Sequence, residues 1–102
     1  MTKRSRQWHE DFEQEVLADP EAREQFEAFS AQLELADKMK KLRKKVDLTQ
    51  DEVAEKMHTT KSAIARLEAA GGRSKHSPSL NTLVKYACSL GYRLEINFKR
   101  AT

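Results

Sequence analysis

At 102 residues with 38% apolar and 34% charged side chains, the chain has room for one small domain plus an arm, and for little in the way of a buried catalytic cavity. No apolar run approaches the roughly 18 residues a membrane span needs, and the basic start Met1-Thr2-Lys3-Arg4-Ser5-Arg6 lacks the apolar stretch of a signal peptide, so a cytoplasmic home is expected. The net charge of +3 conceals a division: residues 7–37 hold ten acids and one base, while residues 38–102 hold fifteen bases and six acids. Two surfaces with different partners are expected, the basic one suited to nucleic acid and the acidic one to a basic protein.

In chain order, Trp8, Phe12 and Val16 recur every four residues and predict a short helix over about 5–18. Asp19-Pro20-Glu21 marks a restart, with Asp as the N-cap, Pro at the first helical position and Glu near the positive end of the dipole. Phe26, Phe29, Leu33 and Ala36 share a face of the next helix, which runs on through Met39, Leu42 and Val46 either unbroken or bent near Ser30. Phe26 and Phe29 are read as packing on the chain's own helices, with anchoring of a partner as the alternative. The lysines and arginines of 38–45 suit a helix C-terminus as well as a partner.

Thr49 with Glu52 three residues later forms a capping box, opening a helix that buries Val53, Ala54 and Met57. His58-Thr59 is a turn, Thr60 caps the next helix with Ile64 and Leu67 inward, and Gly71-Gly72 stops it. After the basic loop 73–78, Ser79 caps a helix with Leu80, Leu83, Val84, Ala87 and Leu90 inward, and Cys88 is placed on the same inward stripe as a small core residue. Beyond Gly91 the period changes to two, with Leu94, Ile96 and Phe98 on one face of a predicted strand.

Two short helices joined by a tight turn can present the second to the major groove of double-stranded DNA, where base edges meet its N-terminal residues. Those residues are Thr60, Lys61 and Ser62, with Arg66 one turn on. Gln50 at the start of the first helix, and Arg73 and Lys75 in the following loop, are candidate phosphate contacts. The run Leu48-Thr49-Gln50-Asp51-Glu52-Val53-Ala54-Glu55-Lys56-Met57 followed by Thr60-Lys61-Ser62-Ala63-Ile64-Ala65-Arg66-Leu67-Glu68 resembles the Cro/CI or XRE family of repressors. The resemblance implies an all-α, lambda-repressor-like helix-turn-helix bundle, here with an N-terminal helical extension and a single C-terminal β-strand. It also implies a homodimer on paired half-sites, with Gln50, Lys61, Ser62 and Arg66 on the DNA. The family usually has Gly in the turn, where this chain has His58, and more often Gln at the position of Lys61.

The layout of Asp19-Pro20-Glu21, the motif, Pro78-Ser79-Leu80-Asn81-Thr82-Leu83 and Leu90-Gly91-Tyr92-Arg93-Leu94-Glu95-Ile96 also resembles HigA-type antitoxins. That likeness implies a HigB/RelE-like ribonuclease toxin as a small basic partner and repression of the chain's own operon; Trp8, Phe12 and Val16 on the acidic arm are candidate anchors for it, with packing on the chain's own helices as the alternative. A stand-alone XRE regulator, or an interaction module whose motif does not read DNA, are the alternatives. The expected organisation is an acidic helical extension over 1–30, the helix-turn-helix domain over 31–91 and a dimerisation strand and tail over 92–102. A lone strand needs a partner, and Leu94, Ile96 and Phe98 pair either with a second copy or with the toxin. His9, His58, His76 and Cys88 lack metal-ligand spacing, the chain has no phosphate-binding glycine loop, and neither cofactor nor enzymatic activity is expected.

Overall fold

The computed structural model describes residues 10, 11, 14, 18–69 and 77–100. Glu10, Asp11, Gln14 and Ala18 are helical; Trp8, Phe12 and Val16, and Arg73 and Lys75 of the loop, lie outside the described residues. Four helices follow in order: α1 Pro20–Lys45, α2 Gln50–Lys56, α3 Lys61–Glu68 and α4 Leu80–Ser89.

Each helix begins where its cap residue stands. Asp19 accepts from the Glu21 amide at 3.2 Å with Pro20 just inside the helix. Thr49 and Glu52 complete their capping box, the hydroxyl accepting from the Glu52 amide at 3.1 Å and the carboxylate from the Thr49 amide at 3.0 Å. The hydrogen bonds from Thr49, backbone first, hold the Glu52 carboxyl below the ordinary carboxylate range. Thr60 and Ser79 accept from the Ala63 and Thr82 amides, each at 3.1 Å.

Three helices end alike. After α1 the Leu48 amide reaches back to the Arg43 carbonyl and the Asp47 amide to Lys44; after α2 Thr59 reaches Ala54 and His58 reaches Glu55; after α4 Tyr92 reaches Ala87 and Gly91 reaches Cys88. This is the Schellman pattern, which requires a left-handed residue just past the helix. Asp47 (φ 59°), His58 (φ 55°) and Gly91 (φ 82°) fill that position. His58 therefore takes the backbone conformation that glycine takes more easily.

The core is Met39, Val53, Ala54, Ile64, Tyr86 and Leu90, surrounded by Leu35, Leu42, Val46, Leu48, Met57, Leu67 and Leu83. Both central side chains, Val53 and Ile64, come from the helix-turn-helix itself. α3 packs on α2 and on α1, and α4 packs on α2. α1 is one continuous helix of 26 residues that runs through Ser30.

Several expectations are corrected. Along α4 and its C-cap Leu90, the buried residues are Tyr86, Ala87 and Leu90 with Leu83 partly buried beside them, while Leu80, Val84 and Cys88 are exposed. A 3.6-residue period accommodates either row, and the Tyr86 hydroxyl finds buried partners that select the first. Phe29 and Leu33 on α1 are exposed and Phe26 is half-buried, because among the described residues the core cluster packs on α1 from Leu35 onward. The C-terminal strand is not formed in the single chain: residues 92–100 have no regular secondary structure. A lone period-2 segment has no neighbouring backbone with which to build a ladder.

Candidate nucleic-acid interface

α3 is held at its start by the Thr60 cap and at its centre by Ile64, which is fully buried. That anchoring leaves its first turn outward: Thr60, Lys61 and Ser62 are exposed, as is Arg66 one turn later. The Arg66 Nε lies 3.4 Å from the Ser62 carbonyl, a long bond that lays the side chain along the outer face of α3. Four of the seven predicted DNA-contact residues thus share one surface.

A fifth, Gln50, meets them across a cleft of about 560 Å³ whose lining includes Lys44, Thr49, Gln50, Asp51 and Lys61. Gln50 is only half-exposed, and its Nε2 donates to Glu68 Oε1 at 3.3 Å. Lys61 Nζ stands 3.9 Å from Asp51 Oδ2, both side chains largely exposed. Sequence reasoning missed Lys44 and Asp51 at this cleft. Lys44 belongs to a run of cations that a helix C-terminus also explains, and Asp51 to the acidic first turn of α2.

Beneath the cleft lies a buried polar network. Arg43 Nε and Nη2 donate to Glu68 Oε2 and Oε1 at 2.7 and 2.9 Å, and Nη1 donates to the Leu48 carbonyl at 2.8 Å. The Tyr86 hydroxyl lies 2.8 Å from both Glu68 Oε2 and the Met39 carbonyl, and its one proton serves one acceptor at a time. Burial pushes the Glu68 carboxyl up, but the hydrogen bonds from Arg43, Tyr86 and Gln50, with the Arg43 charge, outweigh it and leave the group below the ordinary range. The bond to Glu68 holds Arg43 more firmly protonated against its own desolvation. Burial and then the Glu68 carboxylate push the Tyr86 phenol above its ordinary value. Among the described residues, no buried side-chain polar atom lacks a partner. The network ties α1, the loop before α2, α3 and α4 together, and fixes the position of the α3 C-terminus.

The signal for this network was present in the spacing. Arg43 falls four residues after Met39 on the inward row of α1, and Glu68 falls four after Ile64 on the inward row of α3. A charge on an apolar row needs a partner of opposite sign, and each supplies the other's.

This geometry agrees with the comparison of the whole chain. A family model described as helix-turn-helix matches residues 39–97, more than half of the chain. The chain belongs to the helix-turn-helix family. It is a DNA-binding protein with the layout of an XRE-type regulator, and the matched span takes in α2, the turn at His58, α3, α4 and the segment after it. No curated protein and no solved structure matches the chain. Among the described residues, no helix is long and apolar enough to cross a membrane.

Proposed function

We propose that this helix-turn-helix protein is a dimeric, sequence-specific transcriptional repressor that also acts as the antitoxin of a HigB/RelE-like ribonuclease toxin, in the cytoplasm, repressing its own operon. The observation that carries this reading is the coexistence of two opposed surfaces. The outward first turn of α3 is polar and basic, with Lys61, Ser62 and Arg66 exposed and Lys44 across the cleft. From Pro20 to Asp37, α1 carries Glu21, Glu24, Glu27, Glu34 and Asp37 against the single base Arg23, and exposes Phe29 and Leu33. An RNA-cleaving partner is basic where it holds RNA, so an acidic helix with exposed apolar side chains is suited to steer to it and cover it.

On this reading Gln50, Thr60, Lys61, Ser62, Arg66, Arg73 and Lys75 meet the DNA, and Trp8, Phe12 and Val16 extend the toxin-facing surface. Leu94, Ile96 and Phe98 form the dimer interface, setting two copies of α3 against successive major grooves. The test is co-expression with the product of the adjacent reading frame, followed by co-purification and operator binding. Recovery of a small basic ribonuclease that the chain silences supports the full reading; a chain that binds operator DNA but retains no such partner is a stand-alone regulator. Lys61→Ala and Arg66→Ala should each cost about 1–3 kcal/mol of operator affinity and relax base preference at one position, as read by mobility shift on a panel of single-base operator variants.

A further inference from the structure

The segment after α4 leaves its apolar row unfinished. Leu94 is half-buried and lines an apolar cleft of about 380 Å³ with Leu35, Met39, Leu42, Leu83 and Tyr86. Two residues on, Ile96 is 58% exposed, and Phe98 is 99% exposed. The row begins in the bundle of its own chain and ends in water. The polar row between, Arg93, Glu95, Asn97 and Lys99, is exposed throughout.

An occupant follows from the charges. If a second copy lies antiparallel to this segment, residues directly opposite share a face, so even positions must oppose even ones to keep the apolar rows together. A two-fold axis at Glu95 sets that carboxylate against its own copy. An axis at Ile96 sets Arg93 against Lys99 twice. An axis at Leu94 pairs Arg93 with Glu95 twice, but its overlap stops short of Phe98. An axis at Phe98 brings no opposite charges together. An axis at Asn97 alone pairs Glu95 with Lys99 twice and covers Phe98 with Ile96 twice, while the Arg100 stem lies over Leu94.

We propose that two copies join through residues 94–100 as an antiparallel pair with Asn97 on the two-fold axis, Glu95 facing Lys99 and Ile96 facing Phe98 of the other copy. This rests on the dimer reading above and specifies its register. Each Phe98 then lies beside the far copy's Ile96 and Leu94, at the mouth of that copy's apolar cleft. The pairing supplies the ladder that the single chain lacks, and the contact is isologous, so it closes at two copies.

Glu95, Asn97 and Lys99 are exposed, so replacing them leaves the core of the domain untouched. Cross-linking is read in the full chain with Cys88→Ser, since Cys88 is exposed and would compete. Asn97→Cys should give a covalent dimer on mild oxidation, because residues opposite each other in a ladder have Cα atoms about 4.5–5.5 Å apart, within disulfide reach. Glu95→Cys alone should not, its two copies being about 14 Å apart along the pair. Mixing Glu95→Cys with Lys99→Cys should give a heterodimer. By sedimentation, Glu95→Lys should raise the dimer dissociation constant about tenfold, and Glu95→Lys with Lys99→Glu should restore it to within about threefold of the parent. A dimer that fails to cross-link at Asn97, or that the charge exchange does not restore, overturns the register alone. A chain that stays monomeric at every concentration overturns the register and the dimer reading together, and leaves the DNA-binding surface as described.

Discussion

Glu68 and His58 show how single residues set the motif. The Glu68 carboxylate receives Arg43, Gln50 and the Tyr86 hydroxyl in a site where its side chain is 2% exposed. Removing one member of a buried pair leaves the other charged and unpaired, at about 3–5 kcal/mol. Glu68→Ala should therefore lower stability by that order, measured by urea unfolding at neutral pH. The dependence on acid has a definite sign. Because the folded carboxyl titrates below its unfolded counterpart, its contribution is complete above about pH 4.3 and is lost as the pH falls through the folded value. The gap in unfolding midpoint between parent and Glu68→Gln should accordingly narrow below about pH 4; a gap that stays constant down to pH 2 would contradict the role given to the carboxylate. His58 holds φ at 55° to close the turn. A left-handed conformation costs a side-chain-bearing residue roughly 1–2 kcal/mol, of which glycine returns part as lost chain entropy. His58→Gly should stabilise the domain by about 0.5–1 kcal/mol and His58→Val should destabilise it by about 1 kcal/mol or more, both read from urea midpoints.

Among the elements, α1 has two different halves. Among the described residues, it lies against the core from Leu35 onward, and before that Phe29 and Leu33 are exposed. α2 and α3, with seven and eight residues, are too short to persist as isolated helices, so caps and burial sustain them. α4 is the brace, placing Tyr86 and Leu90 in the core and starting at Ser79, whose hydroxyl accepts from the Thr82 amide and also bonds the Thr82 hydroxyl at 2.9 Å. Ser79→Ala should cost about 1 kcal/mol of stability. Since Ser79 lies outside the predicted DNA-contact set, operator affinity measured well below the melting temperature should be unchanged. A marked loss of affinity there would show that α4 does more than brace the motif.

Across the whole molecule, the acidic segment 7–37 and the basic domain 38–102 cancel, and the net charge of +3 comes from Lys3, Arg4 and Arg6. DNA meets the domain and not the average, so affinity should follow the local cations. Each phosphate neutralised releases counterions, giving a slope of about −0.9 in the logarithm of the binding constant against that of salt concentration. With Lys44, Lys61, Arg66, Arg73 and Lys75 as the expected participants, affinity should fall steeply between 50 and 200 mM salt. Lys44→Ala should lower the slope by about one unit with base preference intact. A flat salt response would count against α3 as a DNA-facing surface.

Local chemistry was legible wherever it lies within one turn of chain. Asp19-Pro20, Thr49 with Glu52, Thr60 and Ser79 each announced a helix start, and each caps one, because a cap needs only amides two or three residues away. The helix-turn-helix and its outward residues were readable for the same reason, with Ile64 turned inward and Lys61 and Ser62 turned out by the period alone. Contacts made across the fold were not. Tyr86 displaced Val84 and Cys88 from the inner face of α4 because its hydroxyl finds Met39 and Glu68, 47 and 18 residues away. Gln50, a candidate phosphate contact, also donates to Glu68, 18 residues away. The motif and its exposed first turn thus followed from the sequence by itself. Spacing put Arg43 and Glu68 each on an inward row, but only tertiary structure decided that they meet each other and that Phe29 and Leu33 stay exposed, since contact depends on how far a neighbouring element reaches, which a helical period does not encode.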